Sequence, residues 1–355
     1  MKPLSLMDDQ LLVELTRGGI AESVHTGSAA VADAHGRLLA WVGDPERVTF
    51  LRSTAKPFQA LPLVERGGLE MFAINPQELA IICASHTGTE AHVAVVRALQ
   101  ARLGVGESDL LCGVHPPTDR AAAAELTRSG GPPFPLQHNC SGKHTGMLAL
   151  ALHFGQALPT YLEPEGAVQQ ALLKAFAEMC GLDLGQVVVG TDGCSAPNFA
   201  VPLRNAAWGL ARLADPGGLP AKRAAACRQI TRAMMSHPEM VSGPGQFDTR
   251  LMQAAPGKLV CKGGAEGYTG LALLPGARGE GSPGLGVAIK IADGDPSGRA
   301  RSAVTLEVLS QLGVLTGDQA GSLADFGAGP ATNFRGVVVG ERRARFRLRN
   351  GAAPI

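Results

Sequence analysis

Lysine is scarce in this chain: only eight of the 32 basic residues are lysine, and the other twenty-four are arginine. Arginine serves wherever a permanent positive charge is needed, but it does not give up its proton and act as a base. The few lysines are therefore the first residues to locate. Three of them, Lys56, Lys143 and Lys262, stand in glycine- and serine-rich surroundings with little charge. A net charge is also lacking, with 32 basic against 31 acidic residues, which argues against nucleic acid or an anionic membrane as partner. No segment reaches eighteen uninterrupted apolar residues, so no membrane-spanning helix is expected. Met1 to Gln10 holds two aspartates and no apolar stretch, unlike a secretory signal, and a cytoplasmic location is expected. The seven cysteines are odd in number and follow no framework spacing, which favours free thiols or metal ligands over disulfides.

What is present is enough chain, 355 residues, to bury a full core as one large domain or as two lobes sharing a site. Ser23–Ala32 and Leu38–Val42 read as strands joined in a hairpin by Asp33-Ala34-His35-Gly36. Asn75-Pro76-Gln77-Glu78 reads as a helix cap with proline in the first turn. Helical patterns follow at Glu90–Leu103, Arg120–Arg128, Ser141–Phe154, Gly166–Cys180, Phe199–Leu213 and Ala221–Met235, with a short strand at Gln186–Val189. Strands return at Lys258–Lys262, Tyr268–Leu274 and Leu285–Ala292, then a helix at Ser297–Leu312 and a strand pair near Val337–Val339 and Ala344–Leu348. Gly276–Gly284 reads as a mobile loop. Strands at both ends predict a central, mainly antiparallel sheet, from about 1–52 and 257–355, with a helical lobe of about 53–256 inserted in a single unit.

Ser53-Thr54-Ala55-Lys56 is the one S-x-x-K in the chain. Residues three apart share a helix face, so the amine can reach the hydroxyl. Serine is a weak nucleophile until a base takes its proton, and a lysine serves when burial or a positive neighbour such as Arg52 favours its neutral form. With sixteen serines and eight lysines, chance alone gives about a third of one occurrence, and an ordinary helix start with a solvated lysine fits as well. Cys83-Ala84-Ser85-His86-Thr87-Gly88 ends an apolar run, either as a polar turn or as the edge of a cleft. Lys262-Gly263-Gly264 ends a strand and resembles the K-T-G element that accompanies S-x-x-K in penicillin-recognising enzymes, although an S-D-N counterpart is absent. In His138-Asn139-Cys140-Ser141-Gly142-Lys143-His144, Asn139 is expected to cap a helix. Thiols and imidazole suit zinc, and Cys140, His144, Cys194 and Asp192 are the choice by residue type, with buried inert cysteines as the alternative.

Taken together, Leu51-Arg52-Ser53-Thr54-Ala55-Lys56-Pro57, Cys83 to His86, His138 to His144, Thr191-Asp192-Gly193-Cys194, Cys261 to Gly264 and Asp293-Gly294-Asp295 resemble the rhizobial-type L-asparaginase family. They occur in family order from about residue 20 to 340. The resemblance implies a serine β-lactamase-like fold, a homodimer, and hydrolysis of L-asparagine to L-aspartate and ammonia. It implies two serine–lysine tandems, Ser53 with Lys56 and Ser85 with Lys262, with Ser53 the nucleophile and Lys56 its base. It assigns Zn²⁺ to Cys140, Lys143 and Cys194, with Asp192 and His144 close by, and so puts a lysine where residue type alone chose His144. Arg52, His144 and Asp192 are then the expected substrate-binding residues. Two other readings stay open from the residues alone: another serine–lysine amidohydrolase, acting on glutamine or a β-lactam, and a non-catalytic amino-acid or zinc-binding protein.

Overall fold

The computed structural model describes residues 9–354. The chain divides into two compact units. One holds the chain up to Leu51, Val201–Gly218 and everything from Arg250; the other holds Arg52–Ala200 and Leu219–Thr249. The segment Val201–Gly218, read from sequence as part of the helical lobe, thus belongs to the sheet unit.

The sheet unit is built on a nine-stranded sheet. Its main path runs Gly329–Thr332, Val338–Ala344, Gln10–Arg17, Ile20–Asp33, Leu285–Ile291, Tyr268–Leu273, Leu259–Gly263, and Arg37–Val42 pairs both Ile20–Asp33 and Arg349–Pro354. The two ends of the chain meet in one antiparallel sheet, as expected: Gly27 lies opposite Ile291 and Asp33 opposite Leu285. The expected hairpin is present. Asp33 Oδ1 accepts from the N–H groups of His35 and Arg37, both at 3.0 Å, and Gly36 takes the left-handed φ of +79° that the turn requires. The helices Leu203–Ala214 and Arg301–Gln311 both pack on Tyr268–Leu273 and Leu285–Ile291. Every residue of those two strands is buried, so both faces are covered. Gly286 makes the close approach possible, because a Cβ there would strike Ala207 O and Ala211 N of the first helix. Asp295 accepts from the N–H groups of Arg299, Ala300 and Arg301 at 2.8–3.0 Å, so the second helix starts at Arg301 rather than Ser297.

In the helical unit, Lys56–Glu65 packs on Ala167–Cys180 and Ala221–Ser236, and Pro76–Ile82 packs on Ala221–Ser236 and Ser141–Phe154. Asn75 and Glu78 form a reciprocal capping box at 3.0 Å, so that start signal was legible. Phe58, Phe176 and Phe199 pack in a row through the core, Phe58 edge-on to Phe176 at 5.7 Å between centroids and Phe199 tilted against Phe176 at 4.8 Å. Ser141–Phe154 lies against Pro76–Ile82 through two glycines. A Cβ at Gly142 would strike Ile81 O, and one at Gly146 would lie 2.7 Å from Ile82 Cγ2.

Two expectations fail locally. Phe199–Val201 is strand, not helix: Pro197–Pro202 is a strand, and Val188–Ala200 to Thr191–Pro197 form an antiparallel ladder. Pro202 then precedes the helix, whose first residue is Leu203. The strand expected at 344–348 ends at Ala344. Gly276–Gly284 is a loop, as read, and it carries its own turns, among them Gly276 N to Ser282 O at 2.8 Å and Ser282 Oγ to Gly279 O at 2.8 Å. No helix among the described residues is long and apolar enough to cross a membrane.

Candidate active site

The helical unit gathers almost all of the expected site residues. Ser53 lies in a 3-10 turn, Arg52–Ala55, that runs directly into the helix Lys56–Glu65. At about three residues per turn, side chains three apart lie nearly in line, so Ser53 and Lys56 share one side. Arg52 enters this turn at a φ of +52°, a left-handed strain for a residue with a Cβ. Its Nε and Nη2 both donate to Asp192 Oδ1, at 2.9 and 2.8 Å. Asp192 also accepts from Gly193 N at 2.7 Å and sits in the tight turn that joins the ladder strands. That turn holds a second left-handed residue, Ser195, at a φ of +68°.

Lys56 is 2% exposed. Its ammonium donates to Ala84 O, to Ser85 Oγ at 3.0 Å and to Asn139 O at 3.4 Å. The lysine read from sequence as the partner of Ser53 is therefore hydrogen-bonded to the other expected serine. Ser85 follows the buried helix Pro76–Ile82, and its N–H donates to Val241 O at 2.9 Å. The two backbone carbonyls around Lys56 could not be read from sequence, since every residue carries one.

The same unit holds the cluster Cys140, Lys143 and Cys194, all buried, with both cysteines outside any disulfide. Lys143 Nζ donates to Cys194 Sγ at 2.9 Å. A hydrogen bond from the Cys194 thiol outweighs burial and, with the charges of Lys56 and Lys143, holds Cys140 well below the usual thiol range. The same bond, with burial, pushes Cys194 up. Burial alone would lower Lys143, but the sulfurs of Cys140 and Cys194 outweigh it and its affinity for the proton rises. No group of three or more His, Cys, Asp or Glu side chains converges to hold a metal among the described residues. The expected zinc set has only two such side chains, with a lysine as the third. The two thiols are soft donors of the kind zinc takes, and the amine of Lys143 completes the set only in its neutral form, so these residues fit that ion once Lys143 gives up its proton.

His144 stands apart from the cluster. Its ring is fully buried, with Nδ1 2.6 Å from Tyr161 Oη and with Nε2 left without a protein partner. Leu111 N donates to the same phenol oxygen at 2.9 Å, so the phenol hydrogen is free to point at Nδ1. Burial, then the charge on Lys143, holds this imidazole well below its usual range and thus neutral. Tyr161 was missed from sequence, although the chain has only two tyrosines. Asn139 does not cap the helix as expected: Cys140 is the cap residue, and it makes no side-chain cap bond. His86 and Ser141, each inside a motif read from sequence, form a buried pair at 2.9 Å that the sequence did not announce. Lys262 lies in the sheet unit, on Leu259–Gly263, 2% exposed, with Nζ donating to Gly263 O at 2.6 Å.

Several solved structures are distantly similar. That of Mglu in its native form is 15% identical, with 82% of this chain aligned to 66% of that one and a TM-score of 0.42. A probable glutaminase from Bacillus subtilis complexed with 6-diazo-5-oxo-L-norleucine is 13% identical over 81% of this chain and 84% of its own, at a TM-score of 0.37. A Bacillus glutaminase in the presence of 4.3 M NaCl is 13% identical over 81% and 91%, at 0.38. The chain spans about two thirds of the length of Mglu. No curated protein matches the chain. The family described as L-asparaginase II matches residues 13–344, a span that contains every motif discussed here. The chain belongs to the L-asparaginase II family.

Proposed function

We propose that the protein is an amidohydrolase that converts L-asparagine and water to L-aspartate and ammonia, with a serine nucleophile and Lys56 as its base. The observation that carries this reading is the buried amine of Lys56, 3.0 Å from Ser85 Oγ and one 3-10 turn after Ser53. Ser53 Oγ attacks the side-chain amide carbon, and its proton passes to Lys56 Nζ, which serves as the base after giving up one proton of its ammonium. Collapse of the tetrahedral species breaks the C–N bond, and the leaving nitrogen takes that proton and departs as ammonia. Water then opens the aspartyl ester, giving L-aspartate and restoring the Ser53 hydroxyl. Ser85 shares the proton traffic through its bond to Lys56. Backbone N–H groups of the Arg52–Ala55 turn serve as oxyanion donors.

The substrate is a zwitterion, which suits the Arg52–Asp192 pair. The guanidinium fork takes the α-carboxylate and the Asp192 carboxylate takes the α-ammonium. The unpartnered Nε2 of His144 is the atom of that ring left for a ligand. Cys140, Lys143 and Cys194 would hold zinc, with Lys143 bound as the neutral amine after losing the proton it now gives to Cys194. Bound there, zinc would supply a fixed positive charge that orients the polar end of the substrate.

The test is ammonia release by the purified protein from L-asparagine, with L-glutamine and a chromogenic cephalosporin in parallel. Release from asparagine that Ser53→Ala abolishes is the expected result. Absence of release from asparagine, with and without added zinc, would overturn the reading.

A further inference from the structure

The loop that carries Ser85 is held from two sides by groups with no part in the proposed reaction. On one side, Val241 O accepts from Ser85 N, and Thr87 lies so close to Gly243 that a Cβ at 243 would strike its Oγ1. On the other side stands His86, 1% exposed. Gly88 N donates to its Nδ1 at 3.2 Å, which leaves the proton on Nε2. Nε2–H then donates to Ser141 Oγ at 2.9 Å, and the Ser141 hydroxyl donates onward to Leu136 O at 3.0 Å. Both ring nitrogens are engaged, and the hydroxyl both accepts and donates. Burial, then the stacked ring of His92 at a centroid distance of 5.0 Å and the charge of Lys56, keeps the His86 ring neutral. Ser141 is the first residue of the helix that carries Lys143, and that helix is seated on Ile81 and Ile82 through Gly142 and Gly146.

We infer that His86 is a positioning residue for Ser85, acting through its hydrogen bond to Ser141. The residue next to Ser85 is thereby tied to a helix that cannot shift, and the 3.0 Å contact of Ser85 with Lys56 is fixed as a consequence. The inference rests on the amidohydrolase reading for its kinetic effect, while the hydrogen-bond chain itself does not. His86 bonds to Ser141 and Gly88 rather than to Arg52 or Asp192, so its loss falls on kcat rather than on KM.

The test compares His86→Phe, His86→Gln and Ser141→Ala in the full chain, by steady-state kinetics and by amide hydrogen exchange. Glutamine places an N–H near the position of Nε2–H, and phenylalanine does not. Misplacing a reacting group by about 1 Å costs up to about 100-fold. His86→Phe is therefore expected to lower kcat by roughly 30-fold with KM within about twofold, and His86→Gln to recover to within about threefold of the parent. Exchange at the Ser85 amide is expected to quicken by about tenfold in His86→Phe and Ser141→Ala, and to stay unchanged in His86→Gln. Unchanged kcat and unchanged Ser85 exchange in Ser141→Ala would overturn the inference. So would a uniform rise in exchange across the whole helical unit, or equal losses with glutamine and phenylalanine. If the parent protein releases ammonia from no amide, the amidohydrolase reading falls, and Ser85 exchange alone decides this one.

Discussion

The helices Ser141–Phe154 and Leu203–Ala214 are each central to the packing of their own unit, yet they are built on different rules. Leu203–Ala214 is amphipathic. Leu203, Ala206, Ala207, Leu210 and Ala211 are buried, while Arg204, Trp208 and Arg212 stand half-buried on the other side. Ser141–Phe154 is enclosed all round from Ser141 to Ala151, although its first turns hold Ser141, Lys143, His144 and Thr145. An amphipathic helix needs only an apolar stripe to fold onto a sheet. An enclosed helix with polar residues must find a partner for each of them, because an unpaired buried polar group costs about 1–3 kcal/mol. Those partners are here: Leu136 and His86 for Ser141, Cys194 for Lys143, Tyr161 for His144, Gln100 for Thr145. The difference teaches where chemistry is to be sought. Polar groups that the fold keeps at such cost cluster around Lys56 and the two thiols.

The comparison can be broken most sharply at Lys56. Lys56→Met keeps the length and apolar stem of the side chain but removes the base, and ammonia release is expected to fall by about 1,000-fold or more, with the circular dichroism spectrum retained. A fall of less than about tenfold would remove Lys56 from the chemistry. Next is the buried cluster: in Cys140→Ser/Cys194→Ser, bound zinc, read by elemental analysis after dialysis, is expected to drop to background, because the soft donors are gone.

The two close helix approaches come third. Gly146→Ala in the helical unit and Gly286→Ala in the sheet unit each force a methyl into packed atoms, and each is expected to cost about 1–3 kcal/mol in urea unfolding. They should part in kinetics. Gly146→Ala pushes on the helix that bears Lys143 and lowers kcat, whereas Gly286→Ala leaves the kcat of the folded enzyme unchanged. Equal kinetic losses would mean that the enclosed helix is not special. The smallest effect is expected at Arg212, whose guanidinium lies 4.9 Å above the Trp208 ring at a half-buried site. Arg212→Ala should cost about 0.5–1 kcal/mol by thermal unfolding and leave activity alone.

Much of this layout was legible. Asn75-Pro76 with Glu78 announced a helix start, Asp33 to Gly36 a hairpin, and Glu90–Leu103 and Ser141–Phe154 were bounded to the residue by their pattern and a following glycine. Phe199–Val201 was misread because a short apolar run fits strand and helix alike, and Pro202 was the signal that would have separated them. Gln10–Arg17 lay within the stretch read as β structure but was not bounded as a strand; it pairs locally with Ile20–Asp33 across Gly18-Gly19, and its other neighbour, Val338–Ala344, lies more than 300 residues away in the chain. At the site, the scarcity of lysine singled out Lys56, Lys143 and Lys262. The partners of Lys56 did not show: Ala84 and Asn139 contribute carbonyls, which carry no residue identity.

By itself, the sequence determined which residue types could do chemistry, where most helices begin and end, and that the chain carries the motifs of one family in order. Local propensity, capping and spacing act within a few residues, and those are written in the order of the letters. Only the tertiary structure decided that Lys56 bonds to Ser85, that Cys194 meets Lys143 across 51 positions, and that His144 turns to Tyr161. Such pairings bring loops and turns onto the faces of helices far away in the chain, and Gly142 and Gly146 let the helix that bears Lys143 and His144 sit close on Ile81 and Ile82.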